Sequence, residues 1–314
     1  MEKIGIVGSG LIGRAWATVF ARAGHEVVMF DADGSALPKA VGLIEQGLEE
    51  LRGFGLINES PKTVAARVRT AASLAECVGQ VDYVQENTAE RLEVKRTVFA
   101  QMDAAAKPDC ILASSTSTIE TSRFADGLPG RHRCLVAHPV NPPHIVPIVE
   151  ISPAPFTAPE VVARTRALHE KVGQVPITVK REVEGFILNR LQAALLNEAW
   201  RLVAEDYVSV EDLDKTIRDG LGLRWAFMGP FETIDLNAPG GVVDYAGRYG
   251  PKLHGMMKDI RYEAWNDALV SKVEAERRKL MPQADHAKRE AWRDRRLMAL
   301  LAHKLKMTKD EGHR

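Results

Sequence analysis

Three side chains stand where short apolar runs break into polar turns. His138 follows the run Cys134 to Ala137 and precedes Pro139, Asn141, Pro142 and Pro143. Glu150 lies in the next apolar run, Val146 to Ile151. Ser117 follows Ile111 to Ala113, within a Ser/Thr stretch from Ser114 to Thr118. Open α/β sheets bind ligands outside the carboxyl ends of their strands, and a short return connection can bring Glu150 behind the imidazole. An imidazole near neutral pKa can take a hydroxyl proton while hydride leaves the same carbon. A carboxylate on the far ring nitrogen fixes the tautomer and stabilises imidazolium. A hydroxyl can hold the substrate oxygen. On spacing alone a second reading stays open, because a lone histidine is often a satisfied structural residue and a Ser/Thr run is often a turn. His25, His132, His144, His169 and His254 lack comparable context and are read as structural.

A second constellation precedes these. Gly8, Gly10 and Gly13 fit G-x-G-x-x-G, with Leu11 and Ile12 between the last two. The motif alone is weak, since glycines gather in many loops, but it follows the apolar run Ile4 to Val7 and opens a helical pattern from Leu11 to Arg22. Gly8 permits the tight turn, Gly10 lets the backbone approach a pyrophosphate, and Gly13 lets helix and strand pack closely. The helix N-terminus offers free N–H groups and a positive dipole end to the anion. Asp31 closes the next run, Val27 to Phe30, where a carboxylate accepts from the adenine ribose hydroxyls and repels a 2′-phosphate. The cofactor predicted is NAD rather than NADP.

These residues need a scaffold, and the first half of the chain supplies its pattern. Further short apolar runs occur at Val81 to Val84 and Val175 to Val179. Runs of this kind read as buried strands, and their alternation with helical segments predicts a mainly parallel, doubly wound, Rossmann-type sheet. From Gly185 onward only helical periodicity is found. Leu188, Leu191, Leu195, Ala199 and Leu202 form one apolar stripe, Ser209 reads as a helix cap, and Gly229-Pro230 opens another helix. The prediction is an α/β fold: a dinucleotide-binding domain over 1–182, then an all-helical substrate-binding and dimerisation domain over 183–314.

Composition limits the alternatives. The chain has 314 residues, 45% of them hydrophobic, enough for a sizeable core. It carries 42 basic and 42 acidic residues, so global charge gives no argument for nucleic acid or an anionic membrane surface. No apolar run reaches the roughly 18 residues needed to span a bilayer. The apolar N-terminal stretch contains Arg14 and would lose a core strand on cleavage, so it is not read as a signal peptide. Cys77, Cys110 and Cys134 are odd in number and widely spaced, which predicts neither disulfides nor a metal site and suits a reducing, cytoplasmic compartment.

Taken together, the segments Gly8–Gly13, Ala137–Pro143, Pro147–Glu150, Gly185–Gln192, Asn197–Val203 and Asp219–Pro230 resemble the 3-hydroxyacyl-CoA dehydrogenase family, and within it the lambda-crystallin or L-gulonate 3-dehydrogenase branch. The resemblance covers nearly the whole chain. It implies that His138 is the catalytic base and Glu150 its partner, that Ser117 and Asn189 bind the substrate oxygen, and that Glu90 and Lys95 lie beside the nicotinamide half of NAD. By composition alone those last two are solvated helix charges. It also implies a homodimer, to which Trp200, Arg201 and the charged C-terminal helix can contribute. Arg224 matches the gulonate branch, and its guanidinium can grip a free carboxylate. The expected substrate is therefore a small 3-hydroxy acid such as L-gulonate, oxidised to the 3-keto acid. Short-chain 3-hydroxyacyl-CoA and L-carnitine are the alternatives, and a crystallin-like structural protein is the non-enzymatic one.

Overall fold

The computed structural model describes residues 1–311, with side chains through Thr308. Eight strands make one sheet: β1 (Lys3–Val7), β2 (Glu26–Phe30), β3 (Val68–Thr70), β4 (Tyr83–Glu86), β5 (Ile111–Ser114), β6 (Cys134–Pro139), β7 (Ile148–Pro153) and β8 (Val175–Thr178). The order is β3-β2-β1-β4-β5-β6-β7-β8, and every neighbouring pair is parallel except β6 with β7. The chain reverses direction across the sheet between β1 and β4, the switch point where such sheets bind dinucleotides.

Alternation along the strands splits the core into two layers. Ile4, Ile6, Val27, Met29, Tyr83, Ala113 and Leu135 face one side, where Trp16, Val19 and Phe20 of the helix Leu11–Arg22 cover them. Val7, Val28, Val84, Leu112 and Val136 face the other, beneath Phe99 and Met102 of the helix Leu92–Ala105. The strands between the two edges are covered on both faces, which is why their runs read as continuous apolar segments. All three cysteines are buried and unpaired. Burial pushes each thiol up to about 12, so they act as small apolar side chains.

The chain divides into two compact units. The first comprises Met1–Asn189 together with the chain from Ala291 onward, and the second is Arg190–Glu290. The sequence-based division at 182/183 therefore differs from the observed one at both ends. The C-terminal helix His286–Glu311 joins the first unit because Met298 is buried in its core, with Leu297 and Leu301 packed alongside. Short-range periodicity says which face of a helix is apolar but not which core it meets.

Within the second unit every regular element among the described residues is helical. Ser209 caps Val210–Lys215, its Oγ accepting from the Asp212 amide at 3.1 Å. Pro230 begins Pro230–Leu236. The apolar stripe of Leu188–Ala204 is present but only partly covered: Leu188, Ala199 and Leu202 are half-buried, whereas Leu191 is 64% exposed. Trp200 stacks on Trp265, and Arg201 pairs with Glu198 and Glu205 of its own helix. No helix among the described residues is long and apolar enough to cross a membrane.

Candidate active site

The turn after β1 has the geometry its glycines require. Gly8 takes a φ of +95°, and a Cβ there would lie 2.7 Å from the Asn87 carbonyl oxygen. At Gly13 a Cβ would sit 1.9 Å from the Gly8 carbonyl oxygen, so only glycine lets the helix approach the turn. At Gly10 a Cβ would meet nothing within 4 Å. The space above that backbone is open, as a pyrophosphate needs. Gly10 caps the helix without a side-chain hydrogen bond, and the first amides, those of Leu11, Ile12 and Gly13, have no intrahelical acceptor. These donors and the dipole end form an anion cradle.

Beside it lies a cavity of about 420 Å³, lined by Gly8, Gly10, Phe30, Asp31, Asn87 and Val98 among others. Asp31 Oδ2 accepts from the Ser9 amide at 2.6 Å and the Ser9 hydroxyl at 2.7 Å, while Oδ1 accepts from the Asp33 amide at 3.0 Å. Burial works against the charge, but the Ser9 and Asp33 bonds outweigh it and lower the pKa. A carboxylate has about four acceptor sites. Three are filled, and the one left on Oδ1 suits a ribose hydroxyl. The residues present therefore fit NAD.

At the end of β4 a charged pair is buried, with a second acid at its exposed rim. Lys95 is 1% exposed, and its Nζ lies 3.1 Å from Glu86 and 3.4 Å from Glu90. Glu86 also accepts from the Thr88 amide, the Thr88 hydroxyl and the Ser114 hydroxyl, at 2.5, 2.6 and 2.5 Å. Glu90 Oε1 accepts from the Thr116 hydroxyl at 2.6 Å and the Ser117 amide at 2.9 Å. Burial raises the Glu90 pKa, but Thr116, Lys95 and the Ser117 and Thr118 amides lower it more. The reading of Lys95 as a solvated helix charge is corrected, whereas Glu90 stays exposed in the loop before that helix; the two carboxylates face one buried ammonium and tie the loop after β5 to the end of β4. Glu86 was missed by sequence reasoning. The available signal was a charged residue directly continuing an apolar strand.

His138 and Glu150 come together through strand register. β7 returns antiparallel to β6, and the two residues are direct cross-strand partners, which puts both side chains on one face. His138 Nδ1 lies 2.8 Å from Glu150 Oε2. Their side chains are 6% and 0% exposed. Glu150 Oε1 accepts from the amides of Ile187 and Leu188, both at 2.9 Å. Those amides are aimed by Gly185 and Phe186, which take φ of +74° and +48°. A positive φ is costly for a bulky residue. The Phe186 ring is fully buried, 5.4 Å from the imidazole. Burial raises the Glu150 pKa, but His138 and the two amides lower it further, so the group stays ionised. The Nε2 of His138 has no hydrogen-bond partner among the described residues.

Asn189 Nδ2 donates to the Ser117 carbonyl oxygen at 2.9 Å. This links the start of Leu188–Ala204 to the loop after β5. Ser117 itself is exposed, and its hydroxyl has no hydrogen-bond partner among the described residues. Arg224 lies in the second unit, on Gly222–Trp225, exposed and without an ion pair among the described residues. The structure thus gathers Ser117, His138, Glu150 and Asn189, with Glu90 and Lys95, in the first unit. Among the described residues no cluster of His, Cys, Asp or Glu could hold a metal ion.

Comparison with known proteins places the chain in a family. The sequence model of the 3-hydroxyacyl-CoA dehydrogenase NAD-binding domain matches residues 3–183, and that of the family's C-terminal domain matches 185–280. The lambda-crystallin homolog of Bos taurus is 44% identical over 309 residues, covering 96% of both chains. The L-carnitine dehydrogenase of Pseudomonas aeruginosa is 35% identical, covering 96% of this chain and 93% of its own. Among solved structures, an NAD-dependent 5-formyl-3-hydroxy-2-methylpyridine 4-carboxylic acid 5-dehydrogenase superposes with a TM-score of 0.83 at 27% identity, covering 100% of each chain.

Proposed function

The chain belongs to the 3-hydroxyacyl-CoA dehydrogenase family and is an NAD-dependent dehydrogenase; from that premise we infer that it oxidises the 3-hydroxyl of a small free hydroxy acid of the L-gulonate kind, with His138 as general base. The observation that carries the base assignment is the 2.8 Å contact of His138 Nδ1 with Glu150. It holds the Nδ1 proton in place and leaves Nε2 as the ring nitrogen able to accept one. NAD, when bound, supplies the hydride acceptor. His138 Nε2 takes the hydroxyl proton, and Glu150 stabilises the resulting imidazolium without taking the proton itself. The Ser117 hydroxyl donates to the substrate oxygen, and Asn189, one of whose Nδ2 protons holds the Ser117 carbonyl, keeps a second to donate there.

A free acid is favoured because Arg224 is exposed and lacks a carboxylate partner among the described residues. A guanidinium of this kind can take a carboxylate bidentately, which a thioester does not offer. The uncovered apolar surface of the second unit, including Phe231 at 78% and Val243 at 84% exposed, supports a homodimer in which a second copy covers it.

Initial rates with NAD and L-gulonate, L-carnitine or 3-hydroxybutyryl-CoA test the substrate. The expected outcome is the highest kcat/KM with L-gulonate, and an increase in KM for it in Arg224→Met. Turnover of the CoA ester alone would remove both the free-acid reading and the role of Arg224.

A further inference from the structure

A second cavity, of about 550 Å³, opens in the first unit away from the glycine turn. Neither the cofactor nor the proposed chemistry uses it. Its walls are partly apolar, with Leu56 and Ile145 on one part and Leu301 and Leu305 of the C-terminal helix on another. Arg22, Lys171, His144 and Glu59 also line it.

The charges there are unbalanced. The Arg22 guanidinium makes one hydrogen bond, from Nη1 to the His144 carbonyl oxygen at 2.7 Å, and has no carboxylate partner among the described residues. Burial pulls its pKa down to about 10, which leaves it charged at neutral pH. Lys171 ends the helix Pro159–Lys171 and forms no ion pair among the described residues. The one lining carboxylate, Glu59, is already matched by Arg67, which holds it with both guanidinium nitrogens. Asp294 is occupied by Arg293 at 2.8 Å.

The His144 ring adds an unmet polar group. Its Nδ1 is buried without a hydrogen-bond partner among the described residues. Burial and the Arg22 charge pull the ring down to about 4 against the opposing charge of Asp294, so it is neutral in the working range. Buried polar atoms are usually satisfied, and one left open beside a cavity calls for an occupant.

We propose that this cavity is a non-catalytic binding site for an amphiphilic monocarboxylate, its carboxylate on Arg22 and Lys171 and its apolar body against Leu56, Ile145, Leu301 and Leu305. A bare inorganic anion would leave the apolar walls unused, and a neutral apolar molecule would leave the guanidinium unpaired. Because two of the walls belong to the C-terminal helix, the occupant clamps that helix to the sheet domain.

The test uses the full chain with saturating NADH and n-hexanoate as probe, with acetate and 1-hexanol as controls. Calorimetry should show hexanoate binding more tightly than either control. Hydrogen exchange should slow at 56–59, 144–147 and 297–305. Arg22→Met should weaken hexanoate about tenfold or more, the loss of a charge-assisted hydrogen bond. Lys171→Met, an exposed residue with little influence on folding, should weaken it by a smaller factor and serves if Arg22→Met does not fold. NADH affinity and turnover should stay unchanged in both. Protection confined to 113–118, 138 and 185–190 would place the probe in the catalytic site and overturn the proposal. So would equal binding of either control, or hexanoate affinity unaffected by both substitutions. This outcome is independent of whether His138 is the base.

Discussion

Replacing Glu150 by glutamine removes one charge and almost no volume, and the structure dictates how the new amide must sit. Oε1 of Glu150 accepts from two backbone amides at 2.9 Å, while Oε2 faces His138 Nδ1 at 2.8 Å. The glutamine oxygen must take the two-amide position, because turning its NH₂ there would forfeit two buried hydrogen bonds, each worth about 0.5–1.5 kcal/mol. The NH₂ then points at Nδ1 and donates to it. Neutral His138 is driven to carry its proton on Nε2, the nitrogen needed as acceptor. Stabilisation of the imidazolium is lost in the same step. In the analogous Ser-His-Asp arrangement the same acid-to-amide change costs about 10⁴-fold through the wrong tautomer. The expectation for Glu150→Gln is a fall in kcat of about 10³- to 10⁴-fold, or roughly 4–5.5 kcal/mol of barrier. NADH fluorescence titration and the thermal midpoint should change little, because both amides keep an acceptor. Rates followed at the NADH absorbance measure the loss. A fall of less than tenfold, or one that tracks weaker NADH binding, would refute the tautomer argument.

The remaining expectations are narrower. His138→Ala should lose at least about a hundredfold in kcat while binding NADH normally, the deficit of a missing general base. Gly13→Ala forces a Cβ to 1.9 Å from the Gly8 carbonyl oxygen, so it should lower the thermal midpoint and NAD affinity together. Asp31→Ser should raise kcat/KM for NADP relative to NAD, as the repulsion of a 2′-phosphate disappears. Asp31, Glu90 and Glu150 are all held below the usual carboxylate range. For a depressed folded pKa the unfolded chain binds protons first, so the stability they add is complete above about pH 4 and drains away as pH falls through the folded values. Urea midpoints measured from pH 7 downward should show that loss only at the acid end.

Local pattern carried much of the reading. Gly8, Gly10, Gly13 and Asp31 were legible because each answers to one strand, one turn or one helix start. The pairing of His138 with Glu150 needed only the register of two strands joined by a short return. What escaped depends on contacts distant in sequence. β3 is three residues long, Val68–Thr70, and only Val68 is buried, so it leaves no apolar run. Lys95 reads as a surface charge on its own helix and is buried only because Glu86 and Glu90 close around it. The C-terminal helix is amphipathic in sequence, but nothing local specifies that Met298 enters the sheet domain's core.

One device recurs at the carboxyl edge of the sheet. Asp31 takes the amides of Ser9 and Asp33, Glu86 that of Thr88, Glu90 those of Ser117 and Thr118, and Glu150 those of Ile187 and Leu188. Each acid pins a loop through backbone donors and keeps other acceptor capacity for a ribose, an ammonium or an imidazole. A buried amide left without its acceptor costs about 1–3 kcal/mol, so truncating Asp31, Glu86 or Glu150, whose bonds to Ser9, Thr88, Ile187 and Leu188 are part-buried, loosens a loop as well as removing a charge. Alanine scanning would therefore overstate their chemical roles. Isosteric amides keep the oxygen on the loop, so kcat loss without loss of NADH affinity identifies the acid that acts on the proton. On the mechanism we propose, that acid is Glu150: its second oxygen faces an imidazole, whereas Glu86 and Glu90 face Lys95 and Asp31 faces the Ser9 hydroxyl.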